Sequence, residues 1–204
     1  MVKNNFKMEY INYKGNKIHK TAVVDYQNLL IGKGNIIGPY CVIAGEAQHS
    51  KKRSLGKVVI GNNNLFREFF SIHRPVKKNG TTKIGNKSVF FSNVQINHDC
   101  VLEDEVYMAS GCILGGHVYI MKGASFGFGV LVHPQKIIGS YSMLGMGCVV
   151  SKKQKIEPGK TYVGNPAQYI KNNDHGLKMK SINSKKIELE IKRYMTLCKK
   201  REIF

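Results

Sequence analysis

The sequence predicts an all-β solenoid, a parallel β-helix of hexapeptide repeats that ends in a short helical tail. Three observations carry that prediction. An apolar residue recurs at every sixth position without a miss from Ile84 to Ile156, and a small or β-branched residue follows most of these beats four positions later. The pattern stops at Gly164-Asn165-Pro166, beyond which apolar residues fall at helical spacing. A period of six fits neither the 3.6-residue helix nor the simple alternation of a two-faced strand, and it marks a β-helix.

The chain divides into three parts. Residues 1–17 form an N-terminal segment, 18–163 the β-helix, and 164–204 a C-terminal helical cap. The unbroken beat runs through Ile84, Phe90, Ile96, Leu102, Met108, Leu114, Ile120, Phe126, Val132, Ile138, Leu144, Val150 and Ile156. Earlier it is present with interruptions: Ile18 and Val24, then Ile31, Ile37 and Ile43, then Ile60, Phe66 and Ile72. Two polar, basic excursions, residues 44–59 and 73–83, leave the repeat as loops, and long loops on a rigid scaffold often carry function. In the tail, Ile187, Ile191, Tyr194, Met195 and Cys198 share helical spacing, with Asn183 or Ser184 as N-cap. That helix is expected to cover the open end of the solenoid core.

Three hexads make one triangular coil of 18 residues, so residues 18 apart stack at about 4.8 Å. The repeat thus becomes a ruler for polar residues. His98 stacks under Gly116, and Asp99 stacks under His117, while a further coil brings His133, Pro134 and Gln135. An imidazole suits proton abstraction near neutral pH, and a neighbouring carboxylate fixes its tautomer and stabilises the imidazolium that forms. A glycine N–H along the stack suits a developing oxyanion. Together these parts point to direct acyl transfer.

Composition limits the alternatives. The chain has 204 residues, enough for one domain with an appendage, and carries net charge +19 from 32 Lys and Arg against 13 Asp and Glu. That balance implies an acidic partner: nucleic acid, a phosphorylated substrate or an acidic carrier protein. The basic residues lie singly in turns without interleaved aromatics, which argues against nucleic acid. No run is long and apolar enough for a membrane span, and the N-terminus has no signal-peptide core, so a cytoplasmic protein is expected. Cys41, Cys100, Cys112 and Cys148 occupy inward-facing register positions, which makes them core residues rather than metal ligands or nucleophiles.

Five motifs then follow one another in order: Ile72-His73-Arg74, Asn97-His98-Asp99-Cys100, Leu114-Gly115-Gly116-His117-Val118, Val132-His133 and Gly164-Asn165-Pro166-Ala167. In order and spacing they resemble the acyl-carrier-protein-dependent UDP-N-acetylglucosamine acyltransferases of lipid A biosynthesis, best over residues 60–180. The resemblance implies a left-handed β-helix and a homotrimer with active sites between subunits. It also implies a cytoplasmic enzyme that moves a 3-hydroxyacyl chain from acyl carrier protein to the 3-position of a UDP-linked N-acetylglucosamine-type sugar. No covalent intermediate, cofactor or metal is implied.

By the same resemblance His98 is the general base, Asp99 its partner and Gly116 the oxyanion donor. His73, Gln48, His49, Lys51, Gln95, His117, His133, Lys178 and Lys180 match substrate-binding positions, and Met146 the position that sets acyl-chain length. The chain departs from the family at several points. Gln95 stands where a histidine is usual, Pro134 where a glutamine is usual, and His49 at a position typically acidic. Met179 and Lys180 replace two arginines. Three other readings remain: a coenzyme A-dependent nucleotide-sugar N- or O-acyltransferase, a zinc hydratase using His98, His117 and His133, and a non-enzymatic basic scaffold.

Overall fold

A computed structural model describes residues 8–201. Three sheets, parallel except for a hairpin at each end of the largest, form the sides of a left-handed prism, of ten, seven and six strands among the described residues. Successive coils pair in parallel with an 18-residue offset: Val89 with Tyr107, Gln95 with Ile113, Val101 with Tyr119. The beat residues point inward and stack in columns. Phe66, Phe90, Met108, Phe126 and Leu144 fill one side of the core, Ile72, Ile96, Leu114, Val132 and Val150 the second, and Ile84, Leu102, Ile120 and Ile138 the third. Four cysteines, Cys41, Cys100, Cys112 and Cys148, are fully buried among them.

The offset is longer where the two loops leave. Ile31 pairs with Ile60 and Ile43 with Ile72, 29 residues on, and Ile60 pairs with Ile84, 24 residues on. The loops are therefore shorter than their sequence bounds. The strands Val42–Gly45 and Lys57–Ile60 bracket the first, and Ser71–His73 and Thr81–Ile84 the second. Backbone pairing continues into residues whose polarity reads as loop, such as Lys57 with Thr81. Both excursions, and the turns at 97–100, 115–118 and 133–136, leave the same corner of the prism, between the seven- and six-stranded sheets. A single ridge thus carries every loop of note.

The N-terminal segment falls partly outside the described residues. From Tyr10–Tyr13 it forms an antiparallel hairpin with Asn16–His19, which is already the first strand of the solenoid. Buried Asn16, Asn35 and Asn64 then make a ladder near this end. Asn35 donates from both its backbone N–H and its side chain to Asn16 Oδ1, at 2.9 and 2.8 Å, and Asn64 does the same to Asn35. Each amide thereby satisfies the turn of the next coil.

The tail differs from the sequence expectation. Strand Lys160–Val163 turns back through Gln168–Asn172 as an antiparallel hairpin, followed by helix α1 (Asp174–Met179) and helix α2 (Ser184–Arg201). Asn183 caps α2, accepting from the Lys186 N–H at 2.9 Å. Helix α2 does not lie across the open end; it runs down the flank of the six-stranded sheet. Tyr194 is buried there against Met121 and Ile137, while Ile191 and Met195 remain exposed. The reason is polar as well as apolar. Glu103 takes the Tyr119 hydroxyl at 2.5 Å and pairs with Arg193, and Ser140 donates to Glu190 at 2.5 Å. No helix among the described residues is long and apolar enough to cross a membrane.

Candidate active site

The corner turn at Asn97-His98-Asp99-Cys100 needs a left-handed residue at its third position. Asp99, His117 and Gln135 all adopt it in successive coils, with φ of 60°, 62° and 64°. Aspartate and histidine tolerate this region better than most residues, at a cost of about 1 kcal/mol each.

Asp99 is held on several sides. Its N–H donates to Thr82 Oγ1 at 2.9 Å, and its Oδ2 accepts the Val76 N–H at 3.0 Å. The same Oδ2 lies 2.8 Å from His98 Nδ1 and 3.9 Å from His117 Nε2. A carboxylate only accepts, so Nδ1 of His98 carries the proton and Nε2 is left basic. The His98 ring is nearly buried and meets the His117 ring edge-on at 5.1 Å, with the His49 ring 5.6 Å away. Loop 74–80 therefore buttresses the carboxylate, and the first loop brings His49 over the imidazole.

Gly116 is where the stacking matters most. A Cβ built there would stand 2.6 Å from both Cε1 and Nε2 of His98, so the imidazole occupies the space a side chain would need. Among the described residues the Gly116 N–H donates to no carbonyl or side chain, although Gly115 and His117 on either side both do. An unspent amide beside a basic nitrogen is the arrangement an oxyanion needs. Gly115 has its own reason: Pro134 of the next coil packs where its Cβ would go, at 2.6 Å.

Burial sets the remaining titrations. It lowers the proton affinity of His117, partly offset by Asp99, and also lowers that of His73, whose Nδ1 lies 2.7 Å from the Glu46 carbonyl. Burial pushes the Cys100 thiol up to about 12, and its Sγ donates to the Gly115 carbonyl. As a nucleophile Cys100 is thus both inaccessible and protonated.

The other sequence-selected residues divide by position. Gln48 and Lys51 stand exposed on the loop that carries His49, whose Nδ1 accepts the Lys51 N–H. Gln95 donates to Asn97, which in turn donates to the Leu114 carbonyl, so the pair braces the turn from below. His133 is not drawn into the cluster. It stacks over Gly115 rather than Gly116, and its ring bonds the Pro134 carbonyl at 3.0 Å. His98, Asp99 and His117 are a group whose ligand atoms lie within 4.8 Å of one another; His133 is not among them. Lys180 lies at a different corner, 3.8 Å from Glu105, with Lys178 exposed nearby. Met146 lies at the third corner, 73% exposed. Sequence reasoning missed Arg201, Lys77 and Val76, which reach the ridge only through the tail helix and the second loop.

No family model matches the chain. An acyl-[acyl-carrier-protein]–UDP-N-acetylglucosamine O-acyltransferase of Gloeothece citriformis is 34% identical over 158 residues, 77% of this chain and 56% of that protein. Its namesake from Burkholderia orbicola is 34% identical over 171 residues, 83% and 64% of the two chains. The solved UDP-N-acetylglucosamine acyltransferase of Bacteroides fragilis aligns with TM-score 0.67 and 29% identity, over 88% of this chain and 70% of that one. The chain is similar to these acyltransferases over three quarters or more of its own length. An enzyme of the same description from Arabidopsis aligns with TM-score 0.66 and 26% identity, over 84% and 79%. The chain spans about three fifths of the length of the curated relatives it matches.

Proposed function

We propose that this chain is a member of the UDP-N-acetylglucosamine acyltransferase family and transfers a 3-hydroxyacyl group from an acyl carrier protein thioester to the 3-hydroxyl of a UDP-linked N-acetylglucosamine-type sugar. The observation that carries the reading is the stack of His98 on Gly116, with Asp99 fixing the ring. Nε2 of His98 takes the proton of the sugar hydroxyl as its oxygen attacks the thioester carbonyl. The Gly116 N–H receives the oxyanion, and collapse expels the thiolate of the carrier arm, so no acyl-enzyme forms. The net positive charge suits an acidic carrier and a diphosphate.

Lys178, Lys180 and Met146 lie at other corners than the His98 turn of their own chain, which supports a homotrimer whose clefts bring a second copy's corner to the turn. In that assembly Met146 stops the acyl chain early, and the donor is shorter than the longest the family uses. The reading includes a cytoplasmic location and no cofactor. The purified protein should be offered UDP-N-acetylglucosamine with acyl carrier protein thioesters and coenzyme A thioesters of matched chain length in parallel. Product from the carrier thioester alone is the expected result. Product from coenzyme A alone would move the chain to the other donor class.

A further inference from the structure

We infer that the groove between α2 and the catalytic ridge is a phosphate-binding site for a substrate's phosphate group. The inference rests on the proposed acyl transfer at His98 for its meaning, though not for its geometry. The groove has a volume of about 540 Å3, and Lys77, Lys136, Lys155 and Arg201 line it together with His117 and Gln135. The four cations come from four separate places: the second loop, two coils of the solenoid and the end of α2. No carboxylate lines it.

The four cations also lack acidic partners elsewhere among the described residues. Arg201 is satisfied by neutral groups, its Nη1 donating to the His117 carbonyl at 2.6 Å and its guanidinium lying 5.4 Å from the centre of the Tyr119 ring. Lys136 donates to the Lys152 carbonyl at 3.0 Å. The carboxylates of this flank are taken up otherwise, Glu103 by Arg193 and Tyr119, and Glu190 by Arg193 and Ser140. Burial depresses the proton affinity of both Lys136 and Arg201, as expected where positive charge is held without a counter-ion. A multiply charged oxyanion supplies what is missing, with charge-assisted hydrogen bonds from a planar guanidinium and several ammonium groups.

The position specifies the ligand further. His117 borders both the groove and the Asp99 carboxylate, so a phosphate seated there is a few ångströms from the reacting turn. Phosphate reaches that turn from two sources, the diphosphate of the sugar nucleotide or the phosphodiester of the carrier's pantetheine arm. The shared chemistry is the same.

Cys198 gives a direct readout, because it lines this groove and is partly exposed while the other four cysteines are fully buried. Alkylation of the whole chain by a neutral maleimide should proceed at Cys198, and pyrophosphate at ten times its Kd should slow it about tenfold. Chloride at matched ionic strength should not. The double variant Lys136→Gln/Lys155→Gln should lose that protection with an unchanged thermal midpoint. Equal protection in wild type and variant, or none in wild type at millimolar pyrophosphate, would overturn the assignment. UDP and free 4′-phosphopantetheine run as separate arms identify the source by which protects at lower concentration. Protection without acyl transfer would keep the groove and remove the proposed activity; transfer with KM values unmoved by the double variant and no protection would do the reverse.

Discussion

Nδ1 of His98 and Oδ2 of Asp99, adjacent in the chain, face each other at 2.8 Å because the backbone at Asp99 is left-handed. Neighbouring side chains on an extended strand point to opposite faces, so this pairing exists only where the corner turns. The same carboxylate oxygen takes the Val76 N–H, which makes the second loop part of the tautomer's support. His98→Ala should lower kcat by about 10²- to 10⁴-fold with an unchanged circular dichroism spectrum, the range general bases contribute. Asp99→Asn keeps the left-handed turn, which asparagine tolerates, and should lose less, because the amide orients the ring without selecting the proton on Nδ1. Near-normal turnover of His98→Ala with the true substrates would remove His98 from the mechanism.

The Gly116 prediction separates space from backbone. Gly116→Ala puts a methyl 2.6 Å from two atoms of the His98 ring, while the backbone there needs no positive φ. The imidazole must shift, and activity should fall well beyond tenfold with a stability loss of about 1–3 kcal/mol. Gly129→Ala is the contrast: nothing lies within 4 Å of its Cβ, but φ is +65°. It should cost about 1 kcal/mol and leave kcat unchanged. Steady-state rates and denaturant midpoints of the two variants decide whether the stack matters as stated.

The register was legible because a hexad repeat constrains each residue twice, once by its inward beat and once by its neighbours 18 positions away. That was enough to place Gly116 on His98 and to bury Cys100, which a search for nucleophiles would have chosen. What the beat does not constrain stayed hidden. The 73–83 loop reads as a polar excursion, yet its Val76 N–H holds the central carboxylate. The ruler brought His133 to the same ridge, over Gly115, but its ring turns to the Pro134 carbonyl and stays out of the cluster. Helix α2 shows its apolar stripe in sequence, but its destination is decided by Glu103 and Ser140, residues some 50 to 90 positions away. Ile191 and Met195 belong to that stripe by spacing and lie outside the contact.

Cys100 offers a test against a thiol mechanism. Its Sγ is buried and its proton affinity is raised, pushed up to about 12, so no thiolate is present at neutral pH. Cys100→Ala should retain kcat within about twofold while losing about 1 kcal/mol of stability from the small void and the lost Gly115 contact. Loss of turnover with retained folding would reopen the covalent route.

His73 predicts how stability responds to acid. Burial lowers its proton affinity in the folded state below the ordinary value of about 6.5, so the unfolded chain binds a proton first as pH falls. Its contribution is fully present above pH 6.5 and is lost as pH drops below that value toward the folded one. His73→Gln can still donate to the Glu46 carbonyl and does not titrate. The difference in thermal midpoint between wild type and variant should therefore be constant from pH 7 to 8 and move in the variant's favour by pH 5. A difference that stays constant down to pH 5 would show that His73 titrates alike in both states.

Tyr194 connects the tail to the catalytic ridge. Its ring is 6% exposed against Met121 and Ile137, and about two turns further on Arg201 reaches the His117 carbonyl at 2.6 Å. Tyr194→Ala should remove about 3–4 kcal/mol of helix docking, because a large aromatic leaves a void that the rigid sheet does not fill. The solenoid core is built from its own stacked beats and should hold its parallel pairing. Amide exchange should therefore accelerate over Ser184–Arg201 and the 115–118 turn while the coils from Ile84 to Leu114 stay protected. Uniform acceleration across every coil would mean that α2 stabilises the whole prism. In the expected case KM rises with kcat less affected, since His98 and Asp99 keep their own contacts when Arg201 lets go of His117.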